Sequence, residues 1–112
     1  MKEAPSAPRT ETEAAQPNRV SLGGEVVARE PLRYSPAGVP ILSLQLAHRS
    51  QQVEGGVPRQ AEVEIEAVAV GELAVKLNGV ECGQRLTATG FLTKRSRRSR
   101  RVVLHLNECE IE

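Results

Sequence analysis

Arg59-Gln60-Ala61-Glu62-Val63-Glu64-Ile65-Glu66-Ala67 is the stretch that decides the fold of this chain. Ala61, Val63, Ile65 and Ala67 alternate with Glu62, Glu64 and Glu66. Successive side chains of a strand point to opposite faces, so this period of two predicts a strand with one buried and one wet face. A helix would instead bring its apolar positions together three and four residues apart.

Working outward, Ser50 to Pro58, with Gly55-Gly56, reads as a long mobile loop. Val39 to Arg49 predicts a strand with Leu42, Leu44 and Leu46 on one face. Pro31 to Gly38 is turn-forming material. Val20, Leu22, Val26 and Val27 belong to a first strand, in which Gly23-Gly24 marks a bulge or tight bend. On the other side, Gly71 to Asn78 predicts one or two helical turns, with Leu73 and Leu77 four apart and Asn78-Gly79 as a stop. Arg85 to Lys94 is a fourth strand carrying Leu86, Ala88, Gly90 and Leu92 on one side, with Phe91 read as core. Val102 to Ile111 is a fifth. The expected fold is all-β: a five-stranded OB-fold barrel with a short helical element between strands 3 and 4.

The chain has 112 residues, enough for one domain. One Tyr, one Phe and no Trp predict an aliphatic core. Residues 1–17 hold no Leu, Ile, Val or aromatic and are expected to form a disordered tail, with the barrel at 18–112. No apolar run is long enough for a membrane span or a secretory signal, so a cytoplasmic protein is expected. Cys82 and Cys109 stand alone and are expected to be buried free thiols. Two His residues, His48 and His105, at no zinc-site spacing predict no metal and no cofactor. The chain has no Asp, and neither His has a Ser or Cys nucleophile beside it in a catalytic motif, so no enzyme is expected.

Charge supplies the functional signal. Lys+Arg total 15 against 14 acids, a net of +1. Six of those cations lie in Lys94-Arg95-Ser96-Arg97-Arg98-Ser99-Arg100-Arg101, leaving nine against fourteen, or −5, for the rest. Guanidinium groups held this close repel one another until a polyanion neutralises them, and a phosphate backbone does so with release of counterions. The run falls between the last two strands, where an OB fold carries one of the two loops that flank its oligonucleotide groove. Arg33 and Tyr34 fall on the other loop.

Several short segments then carry a family resemblance. Asn18-Arg19-Val20, Pro31-Leu32-Arg33, Ser35-Pro36-Ala37-Gly38-Val39-Pro40 and His48-Arg49-Ser50 resemble the primosomal replication protein N (PriB) family. So do Arg59-Gln60-Ala61, Gly90-Phe91 and Val103-Leu104-His105, and the likeness runs from about Asn18 to Ile111. The resemblance implies a bacterial homodimer of OB folds that binds single-stranded DNA without sequence preference. It implies PriA helicase as partner, with DnaT or another primosome protein, and a role in replication restart. Carried over by position, the DNA contacts implied are Lys94, Arg95, Arg97, Arg98, Arg100 and Arg101 in the basic loop, with Arg49 after the second strand.

The family can carry aromatics at positions that here hold Val57 and Glu62. Stacking contributes about 1–3 kcal/mol per base, so binding without it leans on phosphate contacts. Ser96 and Ser99 are small spacers able to hydrogen-bond phosphate. Tyr34 either stacks on a base or packs beside Pro36. Arg49 either faces DNA or forms a structural ion pair. Glu62, Glu64 and Glu66 form either a solvated strand face or a protein-partner site. A protein-interaction adaptor that mainly holds a helicase, and an RNA-binding module, are the competing functions.

Overall fold

A computed structural model describes residues 16–112. The expected tail therefore lies outside the described residues, except for Gln16 and Pro17, which are exposed. Among the described residues six strands form, in the order β1 (Val20–Arg29), β2 (Arg33–Tyr34), β3 (Pro40–Glu54), β4 (Val57–Val70), β5 (Arg85–Lys94) and β6 (Val102–Ile111). Helix α1 (Glu72–Lys76) and a 3-10 turn (Leu77–Gly79) separate β4 from β5.

The hydrogen-bonded order β1-β5-β6-β4-β3 closes on itself because β1 pairs with both β5 and β3. Residues Val20 to Glu25 run antiparallel to β5, and Glu25 to Arg29 run antiparallel to β3. Such closure removes most of the unpaired edge an open sheet would present. The helix follows the fourth strand rather than the third, because Arg33–Tyr34 pair with Ile41 and Pro40 as a two-residue strand inside expected turn material. The five long strands keep the expected order around the helix.

Inside the barrel, Leu42, Leu44 and Leu46 of β3 meet Ala69, Ala67 and Ile65 of β4 in direct register. Val26, Leu86, Ala88, Leu104, Leu106 and Cys109 complete the wall, and Ala74, Leu77 and Val80 plug one end. Each fully buried Leu contributes about 1.5–3 kcal/mol. Arg29 ties the plug to β1 by donating from Nη1 to the Val80 carbonyl (2.9 Å) and from Nη2 to Asn78 Oδ1 (2.9 Å). Arg29 Nη1 also donates to the Asn78 carbonyl, an acceptor left free at the end of the helical segment.

Four local expectations are corrected. Ser50 to Pro58 is not a long loop: β3 and β4 stay paired through Glu54↔Val57 and turn at Gly55-Gly56, both with positive φ (61° and 80°). That conformation suits a two-residue hairpin turn, and glycine adopts it without steric cost. The bulge lies between Val26 and Ala28, while Gly23 and Gly24 stay in regular register with Thr87 and Leu86. Val63 is exposed although it shares the inward face with Ile65, because this end of the hairpin extends past the barrel. Phe91 is 38% exposed and stacks on His105, ring centroids 5.4 Å apart.

The two thiols also differ. Cys82 is exposed in a turn, against expectation, and Cys109 is buried. Burial pushes the Cys109 thiol pKa up, with nearby Lys76 opposing the shift. A raised thiol pKa favours the protonated folded state. Its contribution to stability is therefore complete below the ordinary thiol pKa and is lost as pH rises through the raised value. Iodoacetamide at neutral pH is expected to label Cys82 alone in the native protein and both thiols in denaturant; rapid native labelling of Cys109 would contradict its burial. Among the described residues no helix is long and apolar enough to cross a membrane.

Candidate nucleic-acid interface

The outward face of β3 and β4 is built from the residues that alternate with the core. Ser43↔Val68, Gln45↔Glu66, Ala47↔Glu64 and Arg49↔Glu62 lie as successive rungs across it. Ala28 of β1 extends the Gln45 rung, and Glu25 extends the Ala47 rung. The β1–β3 connection and the β5–β6 loop stand on either side.

A concavity of about 210 Å³ lies between them, lined by Ala28, Arg29, Glu30, Ser43, Leu44, Gln45, Glu66, Arg95 and Arg101. Two of the six loop cations thus reach the groove. Arg33 does not line it but reaches two residues that do, donating from Nη1 to Ser43 Oγ at 3.1 Å, with Glu30 at 3.7 Å. Tyr34 is 63% exposed and lines neither this concavity nor the one beside Arg49. Its ring is therefore available at the surface rather than packed away.

The basic loop carries its own hydrogen bonds. Arg95 N–H donates to the Arg101 carbonyl (2.9 Å), and Ser99 N–H donates to the Ser96 carbonyl (3.1 Å). Arg101 N–H donates to Ser99 Oγ (2.9 Å), and Lys94 Nζ donates to the Arg97 carbonyl (3.0 Å). Ser99 is thus a turn-forming residue as well as a spacer. Lys94, Arg97, Arg98, Arg100 and Arg101 are exposed and make no ion pair among the described residues. Among the described residues, then, five cations without a carboxylate partner crowd one short loop.

Arg95 differs. Its Nε lies 3.2 Å from Glu66 Oε1, whose side chain is only 15% exposed. Arg49 stands four residues from Gln45 along β3, about 13 Å at strand rise. It lines a second, larger concavity with Glu25, His48, Glu62, Glu64 and Arg85, and its Nε lies 3.6 Å from Glu62. The acidic rung Glu25–Ala47–Glu64 separates the two basic points. His48 is a satisfied strand residue: Nδ1 is 2.6 Å from the Gly23 carbonyl, and Nε2 is 2.8 Å from Ser50 Oγ.

Sequence reasoning missed two features here. Glu66 belongs by parity to the stripe expected to be a solvated face or a protein-partner site, yet it sits in the groove under Arg95. Phe91 and His105 form an outward aromatic pair just below the basic loop, at the base of the β5–β6 hairpin. Its signal was available in the parity of β5, since Gly90 and Leu92 face inward.

Comparison with known proteins gives a consistent result. A family model described as another single-strand binding protein family matches residues 18–108. The replication restart protein PriB of Nitrosomonas europaea is 37% identical over 94 residues, covering 84% of this chain and 87% of that protein. The same-named protein of Bordetella pertussis is 40% identical over 92 residues, covering 82% and 86%. The solved structure of PriB from Ralstonia solanacearum superposes with a TM-score of 0.77 at 36% identity, covering 87% of this chain and 99% of that one.

Proposed function

The chain belongs to the PriB replication restart proteins, within the single-strand binding protein family, and we propose that it binds single-stranded DNA as a primosome accessory protein. The observation that carries this reading is the loop 94–101, with five cations that have no carboxylate partner among the described residues, bordering the groove of a family member's barrel. Single-stranded DNA offers a flexible line of phosphates that such a loop can neutralise. Lys94, Arg97, Arg98, Arg100 and Arg101 are the principal contacts in this reading, Arg33 faces them across the groove, and Tyr34 offers an exposed ring for a base. Arg49 contributes once DNA draws it from Glu62, whereas Arg95 stays with Glu66 and adds little. Because phosphate carries no base identity, binding is without sequence preference.

The family is one of binding proteins, and the reading assigns no catalytic role. In it the protein assists the PriA helicase, with a further primosome protein such as DnaT, as a homodimer. Support for the dimer comes from β1: Val20 to Gly24 pair with β5 on one side, and among the described residues no strand pairs on the other. A second copy can cover such an edge.

Titration of a fluorescent dT oligonucleotide at low salt is the direct test. Saturable binding is expected, retained when the sequence is changed to mixed bases. Absence of binding would overturn the reading. Sedimentation of the protein alone is expected to give twice the chain mass.

A further inference from the structure

We infer that Glu66 is an internal competitor for DNA phosphate: its carboxylate holds Arg95 in the groove, so that a phosphate would have to displace it to engage Arg95. The inference rests on the DNA-binding reading of the loop given above.

Three observations carry it. Glu66 is the least exposed carboxylate of any ion pair among the described residues, 15% against 54% or more for the others. It is fixed on the floor rather than on a mobile tip, paired in register with Gln45 on one side and Val103 on the other. Its partner Arg95 belongs to the loop itself and, with the Arg101 carbonyl bound by its backbone N–H, closes the loop's base. An ion pair this sheltered is less screened by salt than an exposed one. The anion most accessible to Arg95 in the free protein is therefore Glu66.

Two consequences follow for DNA. Arg95 is not a free contact, so one of the six loop cations adds little to wild-type affinity. A fixed negative charge also stands in the groove where phosphate would approach, which raises the cost of deep seating. Glu66 thereby holds binding below what the loop's charge would give, and it keeps DNA readily released. It acts as an affinity-setting residue rather than as a fold-stabilising one, because exchange of carboxylate for amide at this outward position leaves the core untouched.

The test is a double-mutant cycle on the full chain, using a labelled dT oligonucleotide across a range of salt. Glu66→Gln is expected to bind about two- to fivefold more tightly at low salt. Its slope of log K against log salt is expected to steepen by about 0.7, the increment for one further phosphate neutralised. Arg95→Ala alone is expected to change affinity little, but in the Glu66→Gln background it is expected to abolish the gain. An unchanged or weaker Glu66→Gln complex, or an unchanged slope, would overturn the inference. If neutralising the whole loop leaves wild-type binding intact, the DNA-binding reading of the loop fails first, which separates the two claims. Thermal melts on each variant confirm that folded protein is compared.

Discussion

Replacing Lys94, Arg95, Arg97, Arg98, Arg100 and Arg101 together by serine and glycine is expected to lower affinity for single-stranded DNA by about a hundredfold near 0.1 M salt. The size follows from the number of cations rather than from any single contact. Each phosphate neutralised contributes about 0.7 to the salt slope of a single-strand complex, and five loop cations have no carboxylate partner among the described residues. Single substitutions at Arg97, Arg98 or Arg100 are expected to be much milder, because neighbouring guanidinium groups can shift to cover one phosphate. The barrel itself has little stake in these side chains, all of which are exposed. The melting temperature of the neutralised chain is expected to hold or to rise as mutual repulsion disappears. An oligonucleotide titration and a thermal melt of the same preparation check both halves.

The largest stability effect is expected at Gly90. A Cβ there would overlap the carbonyl oxygen of His105 and lie 3.0 Å from Leu106 Cα. Both are backbone atoms of β6, so no side chain can rotate aside. The approach occurs where β5 and β6 shift register between Thr89 and Gly90. To admit Gly90→Ala, β6 must move outward, carrying Leu104 and Leu106 with it and opening the core. The expected cost is about 3 kcal/mol or more, a large fraction of the margin of a small domain. For a domain of this size it should lower the melting temperature by about 15 °C or leave the chain unfolded. A melt within a few degrees of wild type would show that the strands do not approach so closely. Gly23→Ala is the control, since a Cβ there meets nothing within 4 Å.

The barrel was legible where burial and alternation coincide. Leu42, Leu44 and Leu46 opposite Ile65, Ala67 and Ala69 are an apolar ladder that only a paired, half-buried strand explains. The outer end of the same hairpin was not legible. Gln51, Gln52, Gln60 and Arg59 hold the strand pairing through backbone hydrogen bonds, with both faces wet, so no hydrophobic period marks it. Its Gly55-Gly56 centre, read as a loop signal, is in fact the hairpin turn. Cys82 between Glu81 and Gly83 carries a turn's neighbours, and its exposure could have been read from them.

The candidate site divides in the same way. Its charge is local in sequence: six cations in eight residues are visible without any fold. Its counter-charge is not. Glu66 meets Arg95 across 29 positions, and nothing in either segment points to the other until β4 and β6 lie side by side. Arg49 and Glu62 face one another because the β3–β4 register sets them opposite. The sequence could offer either a DNA contact or an ion pair for Arg49, and the folded chain holds the ion pair.

In the proposed function the loop grips single strands through charge, and the salt dependence of affinity is the decisive measurement. Titration of the intact chain with a dT oligonucleotide across about 0.05 to 0.2 M salt is predicted to give a slope of log K against log salt near −3.5, five phosphates at about 0.7 each. The loop-neutralised chain is predicted to give a much shallower slope. A nearly flat dependence for the intact protein, or the same slope with and without the arginines, would show that the loop's charge does not hold the strand.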